Sequence, residues 1–228
     1  VLERPGLGPF LRGLSALPGV EVVFFTAGLP EYARPIMDAL ADRHGAAAGG
    51  APAAVPPPSH RLFREATSPG PAYPCIKDLA RLGRPLGRTV IVEDTALAFL
   101  AHPDNGVPVV PFRGDGDDRI LEEAVLPLLA GLAADARGGD EGEQQAGGPA
   151  LSSFDVRPAL AARFGMRAWF EAQGVTPGEG ALDKGAAGAA AAPAADDSTD
   201  EEEEEGGPCR ALPASSAASA VGDEEEEE

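Results

Sequence analysis

A chain of 228 residues holds one ordinary domain with a sizeable tail, or two small domains at most. Glycine (29) and proline (23) exceed the globular average while aromatic residues make up 5%, which excludes a folded core along the whole length. Residues 179–228 place 16 acidic residues against Lys184 and Arg210 and so carry −14 of the net −19; the remaining −5 is ordinary for a soluble domain and points to no direct nucleic-acid partner.

In chain order, Phe10, Leu11, Leu14 and Leu17 follow helical spacing over residues 9–17, and Pro18-Gly19 ends that helix. Residues 20–25 (VEVVFF) are β-branched or aromatic at nearly every position, the pattern of a strand covered on both faces. Thr26-Ala27-Gly28 reads as a turn, and residues 30–41 as a helix aligning Tyr32, Ile36, Ala39 and Leu40, with Pro35 compatible only with its early turns. Residues 44–59 are alanine, glycine and proline without periodicity and read as a flexible insertion. Residues 61–67 (RLFREAT) read as extended, and residues 73–82 carry Lys77 in the run KDLARLG.

Residues 89–93 (TVIVE) predict a second buried strand, and Asp94-Thr95 opens a helix over 95–101. Residues 107–110 predict a short strand that Pro108 confines to an edge. Asp117 or Asp118 caps a long helix whose face is Leu121, Val125, Leu128, Leu129 and Leu132, with a kink at Pro127. A domain over 1–133, a linker over 134–150, one helix within 151–174 and a disordered acidic tail over 175–228 complete the expected organisation. The alternation of strand and helix predicts an α/β domain with one parallel sheet.

Cys75 and Cys209 lie far apart, which argues against a disulfide framework and for a reducing compartment; Cys75 reads as a small buried residue. The apolar stretches are too short to cross a bilayer, and no membrane segment is expected. His44, His60 and His102 share no spacing and read as surface residues. The glutamate runs at 201–205 and 224–228 read as a solubilising tail, with contact to basic proteins as the lesser alternative.

Ligands of parallel α/β sheets gather beyond the carboxyl ends of the strands. There the sequence offers Thr26, a hydroxyl beside small residues, and Glu93-Asp94, a carboxylate pair. A phosphate group suits the hydroxyl, a hard cation such as Mg²⁺ suits the carboxylates, and Lys77 is placed to neutralise developing charge.

Arg4-Pro5-Gly6 with Phe10-Leu11, VVFFTAGLPEYA (22–33), RLFRE (61–65), IKDLARLGRPLGRTVIVEDT (76–95) and HPDNGVPVVPF with GDGDD (102–118) occur in one order. This ordered set resembles the FCP/SCP-type phosphatase domain, the RNA polymerase II carboxy-terminal-domain phosphatase-like or NLI-interacting-factor-like branch of the haloacid dehalogenase superfamily. DVRPAL..RF (155–164) resembles what often follows that domain. The resemblance implies a Rossmann-like haloacid dehalogenase fold and a Mg²⁺-dependent protein serine/threonine phosphatase working through a phosphoaspartate. Its substrates would be phosphorylated Ser/Thr protein segments, the polymerase tail among them, in the nucleus or cytoplasm. It implies that Thr26 binds the transferring phosphate, that Lys77 stabilises the phosphoryl group, and that Asp94, with Glu93 beside it, holds Mg²⁺.

Two departures stand out. The family has Asp-Asp or Asp-Asn where this chain has Glu93-Asp94, and the DxDxT motif that carries the family's nucleophile occurs nowhere in the sequence. The chain opens on Val1 in domain-like sequence and reads as a processed or incomplete product, with DxDxT expected upstream. On its own it is then expected to be inactive, and its fold fragile, because the family's first strand is central to the sheet. A second reading is a non-catalytic scaffold of the same fold, as in a mitochondrial import translocase subunit.

Overall fold

The computed structural model describes residues 2–45, 60–145 and 154–183. Most of the expected insertion at 44–59 and the tail from residue 184 onward lie outside the described residues, as does Cys209.

Helix α1 (Leu7–Ser15) starts after Gly6, whose φ of 76° is open to glycine without a Cβ clash, and buries Phe10, Leu11 and Leu14. It begins slightly earlier than the spacing predicts. Strand β1 is only Phe24–Phe25, because its partner β2 (Arg61–Leu62) is equally short: the chain leaves β2 into a 3₁₀ turn at Arg64–Ala66. The expected six-residue strand covered on both faces is therefore a two-residue ladder, and Val20 is exposed. Helix α2 (Pro30–His44) has Pro30 in its first turn, where a missing N–H is harmless, and continues through Pro35. Its buried stripe is Ala33 and Met37, packed on Phe63 and Phe24, rather than the expected row through Tyr32, which is exposed.

Strand β3 (Ile91–Glu93) pairs in parallel with β4 (Gly106–Pro108), and Val109 N–H extends the ladder to the Glu93 carbonyl at 3.0 Å. The connection is two 3₁₀ turns, Ala96–Phe99 and Pro103–Asn105, in place of the expected helix over 95–101. The crossover is tight: Gly106 lies against the Phe99 ring, and Asn105, buried, donates to the Leu86 and Thr89 carbonyls at 2.7 Å each. The result is a mixed helix and strand fold with two small parallel pairs, β1-β2 and β3-β4. The single parallel sheet expected from the sequence is not formed among the described residues, where β1 and β3 each have one strand neighbour.

Asp118 accepts the Ile120 N–H at 3.0 Å and so caps the helical run that follows. A π-turn over Leu121–Val125 leads into α3 (Leu126–Gln145) just ahead of Pro127. Proline has no N–H to bond back, and the wide turn accommodates that loss. Helix α3 runs on through residues expected to be linker.

The single helix expected near residues 155–172 is two, α4 (Val156–Phe164) and α5 (Met166–Ala172), separated by Gly165 at φ 56°. Asp155 caps α4 through the Arg157 N–H at 2.9 Å. Leu160 and Phe170 are buried, and the Phe170 ring meets Phe99 edge-on with centroids 6.0 Å apart. Residues just past 175, expected to be tail, are also structured. Gly178 N–H reaches the Leu100 carbonyl at 2.9 Å, Asp183 N–H reaches the Pro69 carbonyl at 3.1 Å, and Ala181 between them is buried.

Candidate active site

The loops that leave β1 and β3 face one cavity of about 550 Å³. Thr26, Ala27 and Gly28 line it from β1, Glu93, Asp94 and Thr95 line it from β3, and Lys77 lines it from the segment between β2 and β3. The four residues singled out in the sequence thus meet at one cavity, although they stand on two strand pairs rather than one sheet.

The Thr26 turn is pinned from both sides. Thr26 N–H continues the ladder to the Leu62 carbonyl at 2.9 Å, Arg64 N–H donates to the Gly28 carbonyl at 3.0 Å, and Arg64 Nε donates to the Ala27 carbonyl at 2.6 Å. Thr26 Oγ1 accepts the Gly28 N–H at 3.0 Å, which leaves the hydroxyl proton to donate to an anion in the cavity.

Lys77 is 6% exposed, unusual for a lysine and a sign of a fixed position. Its backbone N–H donates to the Ala98 carbonyl at 2.6 Å, and neighbouring Ile76, fully buried, bridges Ser68 in both directions at 2.7 and 2.9 Å. The ammonium bonds the Glu93 carboxylate and stands 5.9 Å from the Phe25 ring centre.

Glu93 and Asp94, adjacent in sequence, do different things. Glu93 points inward, with one oxygen on Lys77 and the other accepting the Thr95 N–H at 3.1 Å. Burial pushes its carboxyl above the usual range, against the pull of the Lys77 ammonium. Asp94 is exposed, and one of its oxygens takes the Thr95 hydroxyl at 3.3 Å. Successive side chains alternate across a strand, so a carboxylate pair at a strand end divides between two directions.

Among the described residues no three acidic, histidine or cysteine side chains cluster as a metal cage. Mg²⁺ does not require one, since it is commonly bound through one or two carboxylates, waters and substrate phosphate. Asp94, open to solvent at the cavity, fits as one such ligand, whereas the Glu93 charge is engaged by Lys77.

Sequence reasoning did not single out Arg4 and Phe112 as cavity residues. Arg4 forms an ion pair with Asp118 at 3.1 Å without hydrogen-bond alignment, donates to the Val110 carbonyl, and lies 5.4 Å from the Phe112 ring centre. The available signal was the Arg4-Pro5-Gly6 block itself. The three histidines, expected as surface residues, are each partly buried and each meet a carboxylate: His44 with Glu3 at 2.6 Å, His60 with Glu21 at 2.8 Å and His102 with Asp78 at 2.8 Å.

A family model described as NLI interacting factor-like phosphatase matches residues 1–138. Among curated relatives, a probable C-terminal domain small phosphatase of Dictyostelium discoideum is 36% identical over 132 residues, 58% of this chain and 38% of the relative. The human CTD small phosphatase-like protein is 36% identical over 140 residues, 58% of this chain and 42% of its own length. The mouse carboxy-terminal domain RNA polymerase II polypeptide A small phosphatase 2 is 40% identical over 134 residues, 58% and 43% of the two chains. The chain therefore spans less than half the length of these relatives. No helix of the described residues is long and apolar enough to cross a membrane.

Proposed function

The chain belongs to the NLI interacting factor-like phosphatase family, and we propose that it supplies the phosphate-binding side of a protein serine/threonine phosphatase site. The observation that supports this reading is the convergence of Thr26, Lys77 and Asp94 on one cavity. In this reading the Thr26 hydroxyl donates to a phosphoryl oxygen, and the Lys77 ammonium balances charge that builds on the phosphoryl group. Asp94 holds Mg²⁺, which when bound screens repulsion between an anionic substrate and an anionic nucleophile. Burial of Lys77 keeps its charge in a region of low dielectric, where it acts more strongly than at the surface.

The attacking carboxylate is the missing part. The sequence contains no DxDxT, so the chain alone is proposed to be inactive and to need that segment beside β1 and β3. The family assignment supports a haloacid dehalogenase-type fold around it. The relatives' names, which refer to phosphatases of the RNA polymerase II carboxy-terminal domain, support the polymerase tail as a substrate; phosphorylated Ser/Thr segments more widely and a nuclear or cytoplasmic setting are part of the same proposal. The engagement of Glu93 with Lys77 favours a second reading, a binding module without catalysis.

One experiment separates the two. A DxDxT-bearing strand is fused ahead of Val1, and release of phosphate from serine- and threonine-phosphorylated peptides is measured with Mg²⁺. Activity that falls about 10²- to 10³-fold in Lys77→Met supports the enzyme. Activity that survives replacement of the first motif aspartate by asparagine rejects a phosphoaspartate route, and peptide binding without turnover supports the module.

A further inference from the structure

Two cations and two carboxylates line the cavity, but they are not equally available. Arg4 is paired with Asp118 and Lys77 with Glu93, while Asp94 stands exposed and forms no ion pair among the described residues. Glu93 is also held at a second point, through the Thr95 N–H, so its carboxylate is a fixed group and not a passing one. A phosphate dianion that enters the cavity meets a lysine whose charge is already offset, with the Asp94 carboxylate nearby.

We propose that Glu93 gates this anion site: by occupying Lys77 it makes phosphate binding conditional on added positive charge. The inference rests on Lys77 being the anion anchor, as set out under the proposed function. Like charges in a partly buried site interact strongly because water screens them poorly, so one carboxylate at hydrogen-bond range of the ammonium controls whether a second anion is accepted. The length of the residue matters. Glutamate reaches both the ammonium and the Thr95 N–H, and an aspartate at position 93, one methylene shorter, is expected to loosen one of these contacts.

Calorimetric titration of inorganic phosphate into the full chain, first without divalent cation and then with Mg²⁺, tests the gate. The native chain is expected to bind phosphate weakly without Mg²⁺ and roughly tenfold more tightly or better with it. Glu93→Gln is expected to bind phosphate without metal roughly tenfold more tightly than the native chain, Glu93→Asp to fall between them, and Lys77→Met to lose binding under both conditions. Should Glu93→Gln not fold, Glu93→Asp and the Mg²⁺ dependence of the native chain decide the matter. Equal native binding with and without Mg²⁺, or no gain in the Glu93 variants while Lys77→Met still loses binding, overturns the gate and leaves the anchor standing. Equal binding by the native chain and Lys77→Met, or no binding under any condition, overturns the anchor and the proposed function with it.

Discussion

His102 Nε2 lies 2.8 Å from Asp78 Oδ1, both side chains are largely buried, and Asp78 is the residue next to the lysine that faces the cavity. The same Asp78 oxygen accepts the Ala80 N–H at 3.1 Å, while the Lys77 and His102 backbone N–H groups donate to the adjacent carbonyls of Ala98 and Phe99. Lys77, Asp78, His102 and the 3₁₀ turn at Ala96–Phe99 thus form a closed loop of hydrogen bonds around the base of the lysine side chain.

Breaking that loop is expected to destabilise the fold. His102→Ala leaves a buried carboxylate short of a partner and should lower unfolding free energy by about 1–3 kcal/mol. His102→Gln, whose amide can still donate, should keep most of it. Urea unfolding of the two variants checks this; equal midpoints for both would show that packing, not the hydrogen bond, is what His102 contributes.

Acid should weaken the protein through the same kind of pair. The His102 bond holds the Asp78 carboxyl below its ordinary value, and the Arg84 bond does the same for Glu21. At Glu3 burial pushes the carboxyl up, but the His44 and Arg43 bonds overcome it and the net direction is down. Carboxyls lowered in the folded state bind protons more tightly when unfolded, so their stabilisation is complete above the ordinary carboxylate range. It is lost as pH falls below about 4 and through the lowered folded-state values. Urea midpoints measured from pH 6 downward should fall in that window, and Asp78→Asn should flatten part of the drop.

The β3-β4 crossover predicts a sharp steric effect. A methyl group at Gly106 would overlap the Phe99 ring, which is fully buried and has no room to retreat. Gly106→Ala should therefore cost about 1–3 kcal/mol by overpacking. Gly116, where an added Cβ meets nothing nearby, is the control. A Gly116→Ala change that destabilised as much as Gly106→Ala would contradict this account.

Residues just beyond α5 should matter more than their composition suggests. A chain ending at Gly174 loses Ala181 from the core and the bonds from Gly178 and Asp183, whereas one ending at Asp183 keeps them. The shorter chain should unfold at lower urea. Identical midpoints would mean that the segment rests on the surface without holding it.

For the proposed chemistry, Thr26→Ser should retain most activity in the DxDxT fusion, and Thr26→Val should lose about 10- to 100-fold, because the hydroxyl that accepts the Gly28 N–H is the group proposed to donate to the phosphoryl oxygen. Phosphate release assays on matched peptides decide between these outcomes.

Much of this arrangement could be read from the sequence, because it follows chain-local rules. Hydrophobic runs located β1 and β3, and the residues at or just past their ends supplied Thr26, Glu93 and Asp94. What the sequence hid is non-local. His102 and Asp78 are 24 positions apart and no periodicity links them. Likewise, nothing in Glu93-Asp94 as text says that one carboxylate turns inward to a lysine 16 positions earlier while the other faces solvent. Strand length was also unreadable, because β1 ends where β2 ends, a limit set by the partner and not by VEVVFF itself. The split between α4 and α5 left only a single glycine as its trace.

The short stretch between α5 and Asp183 also has a mechanical side. It is stitched at Gly178 to Leu100 and at Asp183 to Pro69, close to Ala98, which accepts the Lys77 N–H, and to Ser68, which bonds Ile76. A pull at Asp183 is therefore expected to load the Pro69 and Leu100 segments together, and with them the neighbouring bonds from Ser68 to Ile76 and from Ala98 to Lys77.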